Sequence, residues 1–350
     1  DKANQGLVRI SLSKEEFNLD RIKSFAQDNK TKVLEKGIKE TREEINKIEE
    51  KLKKEKNHEE KQKLQRNLDS LKKNLRELTY IKKQIEEFLS KPEIKDITKY
   101  SPFIYYPLYL QLEGYSYLGF SLKANKRELI PEDTTFTLTI RFHPKSTDDD
   151  IKKFFCALWL AFNLGNFGSR SRRGFGSIKV EKIEENNKDL ISNCFDLSFL
   201  PTPQIENWIK DNLEKIKNIL NPKPRNGIPY LFEHFEVYKY EEKNDWKNLM
   251  DQAGSEYKKF RQSKNINQRI VFGLPIVSVG RYRNLRKASP LMFKIIEISQ
   301  SNYVLLFIIY KPKPKKDLIF YPDREINERV NWDLISIFVR NKQKIYPREV

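Results

Sequence analysis

The sequence predicts an α+β fold, in which helices pack against one face of antiparallel sheets. Segments rich in Tyr, Phe, Thr and β-branched residues indicate strands. Apolar residues spaced three and four apart indicate amphipathic helices, and both kinds of segment are mixed along the whole chain. The length of 350 residues suffices for two such units, each with its own core. We place these units at residues 1–190 and 191–350.

Two long heptad segments interrupt the first unit between about residues 32 and 91. They flank the polar stretch 53–61, and Pro92 ends the second segment. Two heptad segments of matched length predict an antiparallel coiled-coil hairpin. It is either a solvated insertion or an arm that contacts a partner or RNA. The predicted seam comprises Leu34, Ile38, Thr41, Ile45, Ile48, Leu52, Leu64, Leu68, Leu71, Leu75, Leu78, Ile85 and Phe88.

The other elements follow from local hydrophobic patterns. In the first unit we predict strands at 7–12, 102–112, 115–122, 134–142 and 177–183, and a helix at 148–164. In the second unit we predict helices at 204–220, 245–262 and 327–339, strands at 230–240 and 271–284, and a hairpin of strands 291–299 and 303–311.

The charge balance indicates a polyanionic partner. Lys and Arg outnumber Asp and Glu by 67 to 49, which gives a formal charge of +18. Such a surface attracts nucleic acid first. An anionic membrane is the second candidate, but no apolar run is long enough to span a bilayer, and we predict no membrane partner. Cys156 and Cys194 lie in apolar settings and make no disulfide framework, which favours a reducing, cytoplasmic location.

The histidines give little support for an enzyme. His58, His143 and His234 are far apart, and no pair has the spacing of metal ligands. We therefore predict no metal, no cofactor and no catalytic residue. His143, at the end of a predicted strand, is the best candidate for a general base in RNA cleavage. The acidic run 148–150 sits where negative charge complements the dipole of a helix.

The most informative pattern is the loop GNFGSRSRRGFGS at residues 165–177. Its glycines allow close approach to a ligand, and backbone N–H groups beside guanidinium groups suit phosphate. The loop follows a helix and precedes a predicted strand, which excludes a dinucleotide fingerprint. Phe167 and Phe175 either stack on bases or pack beneath the loop. The predicted RNA-binding residues are Gly165, Gly168, Ser169, Arg170, Ser171, Arg172, Arg173, Gly174, Phe175 and Gly176.

A second basic stretch spans residues 272–291, with cationic side chains around one aromatic residue. This pattern suits single-stranded RNA, because cations bind phosphates and a ring stacks on a base. A solvated basic turn explains the pattern equally well. The candidate RNA-binding residues are Arg281, Tyr282, Arg283, Arg286 and Lys287.

Both stretches resemble a known family. GNFGSRSRRGFGS is similar to the glycine-rich loop of the RAMP superfamily of CRISPR systems. The two consecutive arginines before GFGS are typical of one branch, the first-numbered subunit of the type III-B (Cmr) effector complex. FGLP at 272–275 and ASPL at 288–291 resemble the second motif of that branch. The resemblance covers about residues 115–298.

The resemblance implies two ferredoxin-like (RRM-like) domains in a subunit that holds the 3′ portion of a guide RNA (crRNA) and helps to capture target RNA in antiviral defence. It implies that the glycines and arginines of both basic stretches contact the guide. The implied partners are guide RNA, target RNA and the other subunits of the complex. The family begins with a strand and a helix that have no counterpart before Leu7, so we expect the first domain to lack its N-terminal part.

Three functions remain open. The first is a non-catalytic guide-binding subunit. The second is a metal-independent RAMP endoribonuclease that processes guide precursors with His143 and the arginines of the loop. The third is a scaffold whose hairpin recruits a partner, with RNA binding incidental.

Overall fold

The structure, a computed structural model, describes residues 8–16, 18–91, 97–119, 130–132, 134–168, 170–184, 197–221, 235–273, 289–310, 331 and 333–347. The chain divides into two compact units. The helical unit comprises Arg9–Leu112 and Ser121–Arg141, and the sheet unit comprises Asp1–Val8, Glu113–Phe120 and Phe142–Val350. Helices and antiparallel strands are mixed, which confirms the predicted α+β class. Residue 190 lies outside the described ranges, and the domain boundary placed there stays a prediction.

The helical unit is dominated by long helices. Its described elements are β1 (Val8–Glu16), α1 (Leu19–Asn29), a π-helical turn (Lys30–Glu35), α2 (Lys36–Lys54), α3 (His58–Ser90), α4 (Ile97–Gln111) and β2 (Thr135–Phe142). The two strands pair with each other. The predicted strands at 7–12 and 134–142 are thereby confirmed, and the first of them extends further than predicted.

Helices α2 and α3 form an antiparallel hairpin. Lys72 pairs with Glu49 at 2.8 Å, and Lys82 pairs with Glu35 at 3.0 Å. The later lysine thus pairs with the earlier glutamate, so the two arms run in opposite directions. Most of the predicted seam is buried between them, with Ile45, Ile48 and Leu68 at its centre and Leu52, Leu64, Leu71 and Leu75 packed around it. Removing this apolar surface from water stabilises the pair. The two helices are confirmed, whereas their supercoiling stays a prediction.

The turn of the hairpin is tighter than the sequence indicates. It occupies residues 55–57 rather than 53–61. Asn57 starts α3 early, because its side chain accepts two backbone N–H groups of the first helical turn at 2.9 and 3.3 Å. The first arm is also longer than predicted, since α1 leads through the π-helical turn into α2.

The predicted strand at 102–112 is wrong. This segment belongs to helix α4, although it contains Pro102 and Pro107 and many aromatic residues. Ile97, Tyr100, Ile104 and Leu108 recur at helical spacing, and all are buried. Burial of this face against the neighbouring helices α1 and α3 outweighs the intrinsic strand preference of the aromatic residues.

The sheet unit carries the second part of the chain. Its described elements are α5 (Glu113–Leu118), α6 (Asp148–Trp159), a π-helical turn (Leu160–Leu164), α7 (Ile205–Leu220), β3 (Phe235–Lys243), α8 (Trp246–Gln262), α9 (Ile266–Arg269), a 3₁₀ turn (Ile270–Phe272), β4 (Leu291–Ser299), β5 (Asn302–Tyr310), α10 (Asp333–Val339) and β6 (Gln343–Tyr346). None of the described helices of the protein is long and apolar enough to cross a membrane.

Most predictions for this unit are confirmed. The helices predicted at 148–164, 204–220 and 245–262 form, as do the strand hairpin of β4 and β5 and the described parts of the strand at 230–240 and the helix at 327–339. The strand predicted at 271–284 begins instead with the 3₁₀ turn, and residues 274–284 lie outside the described ranges.

The four strands of this unit lie in the order β4-β5-β3-β6. With α8 between β3 and β4 and α10 between β5 and β6, the connectivity is that of one ferredoxin-like unit. Both faces of the central strand are covered, because residues 304–309 are 0% exposed. Two described strands are found in the first part of the chain, and the presence of two ferredoxin-like domains stays a prediction.

The predicted strand at 115–122 is wrong, because its described beginning forms helix α5. This helix packs on α8 so closely that a Cβ on Gly254 would lie 2.1 Å from the carbonyl oxygen of Gly114. Asp251 of α8 accepts the backbone N–H groups of Gly114 at 2.7 Å and Tyr115 at 3.1 Å. A carboxylate distant in sequence therefore supplies the N-terminal cap of the short helix.

Candidate nucleic-acid interface

The glycine-rich loop, residues 165–177, is seated on the edge of the four-stranded sheet. Strand β4 pairs with β5 on one side, and the loop takes its other side. The backbone N–H of Phe293 donates to the carbonyl oxygen of Arg172 at 3.2 Å, and Arg173 forms a parallel bridge with Phe293. The loop thus satisfies backbone groups that an edge strand would otherwise leave unpaired.

Asn166 and Ser177 lock the two ends of the loop together. The Asn166 amide donates to the carbonyl oxygens of Ser171 at 2.6 Å and Phe293 at 2.7 Å, and its Oδ1 accepts the Ser177 hydroxyl at 2.7 Å. The Ser177 oxygen in turn accepts the backbone N–H of Ile295 at 3.3 Å. Side chains therefore continue the hydrogen bonding along β4.

The predicted strand at 177–183 is wrong. The segment forms no regular strand, although Lys179 also reaches Glu297 at 2.9 Å. Since the Ser177 side chain takes the place of a backbone acceptor opposite Ile295, no regular ladder with β4 develops.

Lys294 supports the loop from within the protein. It is 1% exposed, and its ammonium group donates to the carbonyl oxygens of Phe162 at 2.7 Å and Gly165 at 2.9 Å. These carbonyls lie where the π-helical turn ends and the loop begins, so the lysine caps the helix. Burial lowers the pKa of Lys294 from 10.5 to about 7. The sequence analysis missed this residue, although a lone lysine in the apolar strand LMFKIIEIS was the available indication.

Arg172 and Arg173 of the loop contact distant parts of the protein. The guanidinium of Arg172 donates to the carbonyl oxygen of Ser289. That of Arg173 lies 4.9 Å from the ring centroid of Tyr257, which also receives Arg261 of helix α8 at 5.6 Å. Cations over an aromatic face are attracted to it. Arg172 and Arg173 therefore hold the loop on the sheet unit.

Arg170 differs from its neighbours by its backbone. Like Arg172, it is exposed. Its carbonyl oxygen accepts the N–H of Arg173 at 2.7 Å, and its φ of +64° is positive, unlike that of Arg172 or Arg173. A non-glycine residue in this region carries backbone strain, and such strain is concentrated at functional sites. Arg170 is the loop arginine best placed for a ligand.

The glycines of the loop have two different roles. A Cβ would lie 2.4 Å from the Ala161 carbonyl oxygen at Gly165, 2.8 Å from the Met250 side chain at Gly174, and 1.8 Å from the Phe167 carbonyl oxygen at Gly176. At Gly168 no atom lies within 4 Å, but its φ is +80°. The first three glycines serve packing, and Gly168 serves the turn at the exposed tip.

The two phenylalanines of the loop have different surroundings. Phe175 packs on the buried Tyr115, with ring centroids 5.4 Å apart, whereas Phe167 is 42% exposed. Ser171 contributes its carbonyl to Asn166. Ser169 and the candidate residues of the second basic stretch, Arg281, Tyr282, Arg283, Arg286 and Lys287, lie outside the described residues. RNA contact by any of these residues stays a prediction.

His143 has a local structural partner. Its Nδ1 accepts the backbone N–H of Lys145 at 3.1 Å, and its carbonyl oxygen accepts the N–H of Ser146 at 2.8 Å. The nitrogen that a general base would use is thus already engaged in the turn. Among the described residues, no group of His, Cys, Asp and Glu side chains could hold a metal.

The acidic start of α6 is explained by capping. Thr147 and Asp150 form a reciprocal capping box, with the Thr147 backbone N–H donating to Asp150 at 3.0 Å. Hydrogen bonds from Thr147 lower the pKa of the Asp150 carboxyl group. The free cysteine Cys156, further along the same helix, is buried, as predicted, and Cys194 lies outside the described residues.

Comparison with known proteins supports the resemblance noted at the glycine-rich loop. A family model described as Cmr1-like, C-terminal, matches residues 232–345, the region that contains the four-stranded sheet on which the loop is seated. This part of the chain is similar to the C-terminal region of Cmr1. The Cmr1-like region thus includes β4, Lys294 and Tyr257, which are the partners of the loop.

A curated protein and a solved structure are similar to this chain. The curated protein, CRISPR system Cmr subunit Cmr1-1 of Pyrococcus furiosus, is 28% identical over 197 residues, which are 54% of this chain and 55% of the relative. The chain thus matches about half of the length of that relative. The crystal structure of Cmr1 from Pyrococcus furiosus in its apo form has 22% identity and a TM-score of 0.40, and covers 60% of this chain and 63% of that one.

Proposed function

We propose that this chain is a non-catalytic, RNA-binding subunit of a type III-B CRISPR ribonucleoprotein in the cytoplasm. It would hold the 3′ portion of the guide RNA, aid the capture of target RNA, and contact other Cmr subunits. The observation that carries the proposal is the glycine-rich loop, anchored on the edge of the Cmr1-like sheet with Arg170 at its exposed tip. The net charge of +18 supports a polyanionic ligand.

The mechanism follows from the chemistry of the loop. Its exposed cation binds backbone phosphates, which carry no sequence information, and base pairing between guide and target supplies the specificity. The usual open sheet face of an RRM is not offered by β5, because both of its faces are buried. Binding would therefore take place at the sheet edge, where the loop is.

The test is RNA binding by an Arg170→Ala variant. We expect its affinity for single-stranded RNA to fall roughly tenfold, and the slope of log K against log salt to decrease by about 0.7, because one phosphate contact is lost. Fluorescence anisotropy at several salt concentrations measures both quantities. Arg340→Ala, which removes an exposed arginine at the end of helix α10, is the matched control and is expected to bind like the wild type.

Substitution of Arg172 or Arg173 would also remove the contacts of the loop with Ser289 and Tyr257. Circular dichroism checks that the variants remain folded. A shallow salt dependence of the wild type, a strong preference for particular bases, or equal affinity of Arg170→Ala and wild type would each contradict the proposal.

The non-catalytic part of the proposal has its own test. We expect neither the wild type nor His143→Ala to shorten a guide precursor RNA, and both to bind it equally, because the His143 ring is already engaged by Lys145. Gel electrophoresis of labelled RNA after incubation with each protein measures this. Cleavage by the wild type that His143→Ala abolishes would establish the endoribonuclease instead.

A further inference from the structure

We infer that Phe167 is a stacking platform for one unpaired base, so that the tip of the glycine-rich loop binds single-stranded rather than duplex RNA. This inference rests on the proposed RNA binding and extends it from phosphate to base. Its first support is the contrast between the two loop phenylalanines. Phe167 is 42% exposed, whereas Phe175 packs against the buried Tyr115 at 5.4 Å.

The ring of Phe167 is held in place from below. Its backbone N–H donates to the carbonyl oxygen of Gly176 at 2.9 Å, a bond that closes the base of the loop. Its ring centroid lies 5.6 Å from that of Phe162, and the two planes meet at 58°. Phe162 is itself fixed by Lys294 through its carbonyl oxygen. A ring fixed in this way loses little conformational freedom when it binds a ligand.

Gly168, the residue after Phe167, lies in uncrowded surroundings. Gly168 has no atom within 4 Å of the place where a Cβ would be, in contrast to the crowded Gly174 and Gly176. Two residues further, the exposed Arg170 carries the charge for a phosphate. An exposed aromatic ring and an exposed cation three residues apart in one loop provide the two kinds of contact that single-stranded RNA needs.

The chemistry limits the ligand class. Every base has a π face that can stack on a phenylalanine, so the contact tolerates any sequence. In a duplex that face is covered by the neighbouring base pairs, and the ring has no access to it. The tip therefore favours unpaired RNA. If Phe167 instead contacts a neighbouring protein, its substitution would leave RNA affinity and quenching unchanged in the following experiment.

The experiment uses the full chain and a single-stranded RNA that contains 2-aminopurine, whose fluorescence falls when it stacks. We expect Phe167→Leu to lose roughly tenfold in affinity and most of the quenching, with an unchanged salt slope, because stacking releases no counterions. Phe167→Tyr is expected to keep both. Leu200→Ala, at another exposed apolar residue (46% exposed), is the control and is expected to behave like the wild type.

The outcomes separate the inference from the proposed function. Salt-dependent RNA binding that is the same in wild type, Phe167→Leu and Phe167→Tyr would overturn the stacking platform and leave RNA binding standing. A wild type that binds no RNA would overturn both. Equal losses in duplex and single-stranded RNA on substitution of Phe167 would also overturn the inference. Phe167→Leu and Phe167→Tyr leave a smaller cavity than an alanine variant would. Circular dichroism verifies that both variants are folded.

Discussion

The free energy of unfolding of the wild type is expected to rise with pH above about 7, and replacement of Lys294 by methionine is expected to remove this rise. Burial lowers the pKa of Lys294 from 10.5 to about 7 in the folded protein. Between these two values the unfolded chain binds a proton that the folded protein does not, so stability increases with pH. Below about pH 7 both states are protonated, and this contribution no longer changes.

The expected size of the effect is large for one residue. Two pH units, from 7 to 9, correspond to roughly 2–3 kcal/mol. The neutral amine keeps two N–H groups for the carbonyl oxygens of Phe162 and Gly165, so at pH 9 the wild type retains bonds that methionine cannot make. Two buried carbonyls without donors cost about 1–3 kcal/mol each, and Lys294→Met is expected to be the less stable protein at that pH.

Urea unfolding at pH 7, 8 and 9, followed by tryptophan fluorescence, measures this dependence. Trp159, which is buried at the end of helix α6, reports on the neighbourhood of the loop. Lys179→Met, at an exposed lysine that pairs with Glu297, is the control and is expected to follow the wild type. Equal pH slopes in wild type and Lys294→Met would show that Lys294 keeps its proton in the folded state.

The second large effect is expected from Gly176→Ala. The new Cβ would lie 1.8 Å from the carbonyl oxygen of Phe167, and the backbone φ of +76° is unfavourable for alanine. The collision involves backbone rather than a movable side chain, so the bond between Phe167 N–H and the Gly176 carbonyl oxygen must break. We expect a loss of about 3 kcal/mol or more in the free energy of unfolding.

Gly168→Ala is the matched control, because its φ of +80° is nearly the same but its surroundings are open. It is expected to cost about 1–2 kcal/mol from the backbone conformation alone. The difference between the two variants in urea unfolding therefore isolates the close contact at Gly176. Equal destabilisation would mean that the contact relaxes without cost, and the packing role of Gly176 would be wrong.

Some of this protein is determined by its sequence alone. The hairpin of α2 and α3 follows from the spacing of residues such as Ile45, Ile48 and Leu68. Each helix has an apolar stripe that must be covered, and the short polar turn brings the two stripes together. The strands β4 and β5 follow from long apolar runs on either side of a short polar turn. The glycines and arginines of the glycine-rich loop likewise made it a candidate functional site from the sequence alone.

The tertiary structure decided what each residue of the loop does. The sequence grouped Arg170, Arg172 and Arg173 together, but the partners Ser289 and Tyr257 come from distant parts of the chain. It likewise left the roles of Phe167 and Phe175 open, because stacking outward and packing inward need the same residue type. The role of Lys294 could not be predicted from the sequence. Its hydrogen bonds depend on its position next to the end of the π-helical turn, which is distant in sequence.

The wrong strand predictions have the same cause. The aromatic residues of α4 prefer strands when considered locally, but the face formed by Ile97, Ile104 and Leu108 is buried as a helix. Helix α5 depends on Asp251, which lies far away in the sequence. Local sequence determines a helix or strand where its apolar periodicity is strong. Where that periodicity is weak, or where the capping residue is distant in sequence, long-range contacts decide the secondary structure.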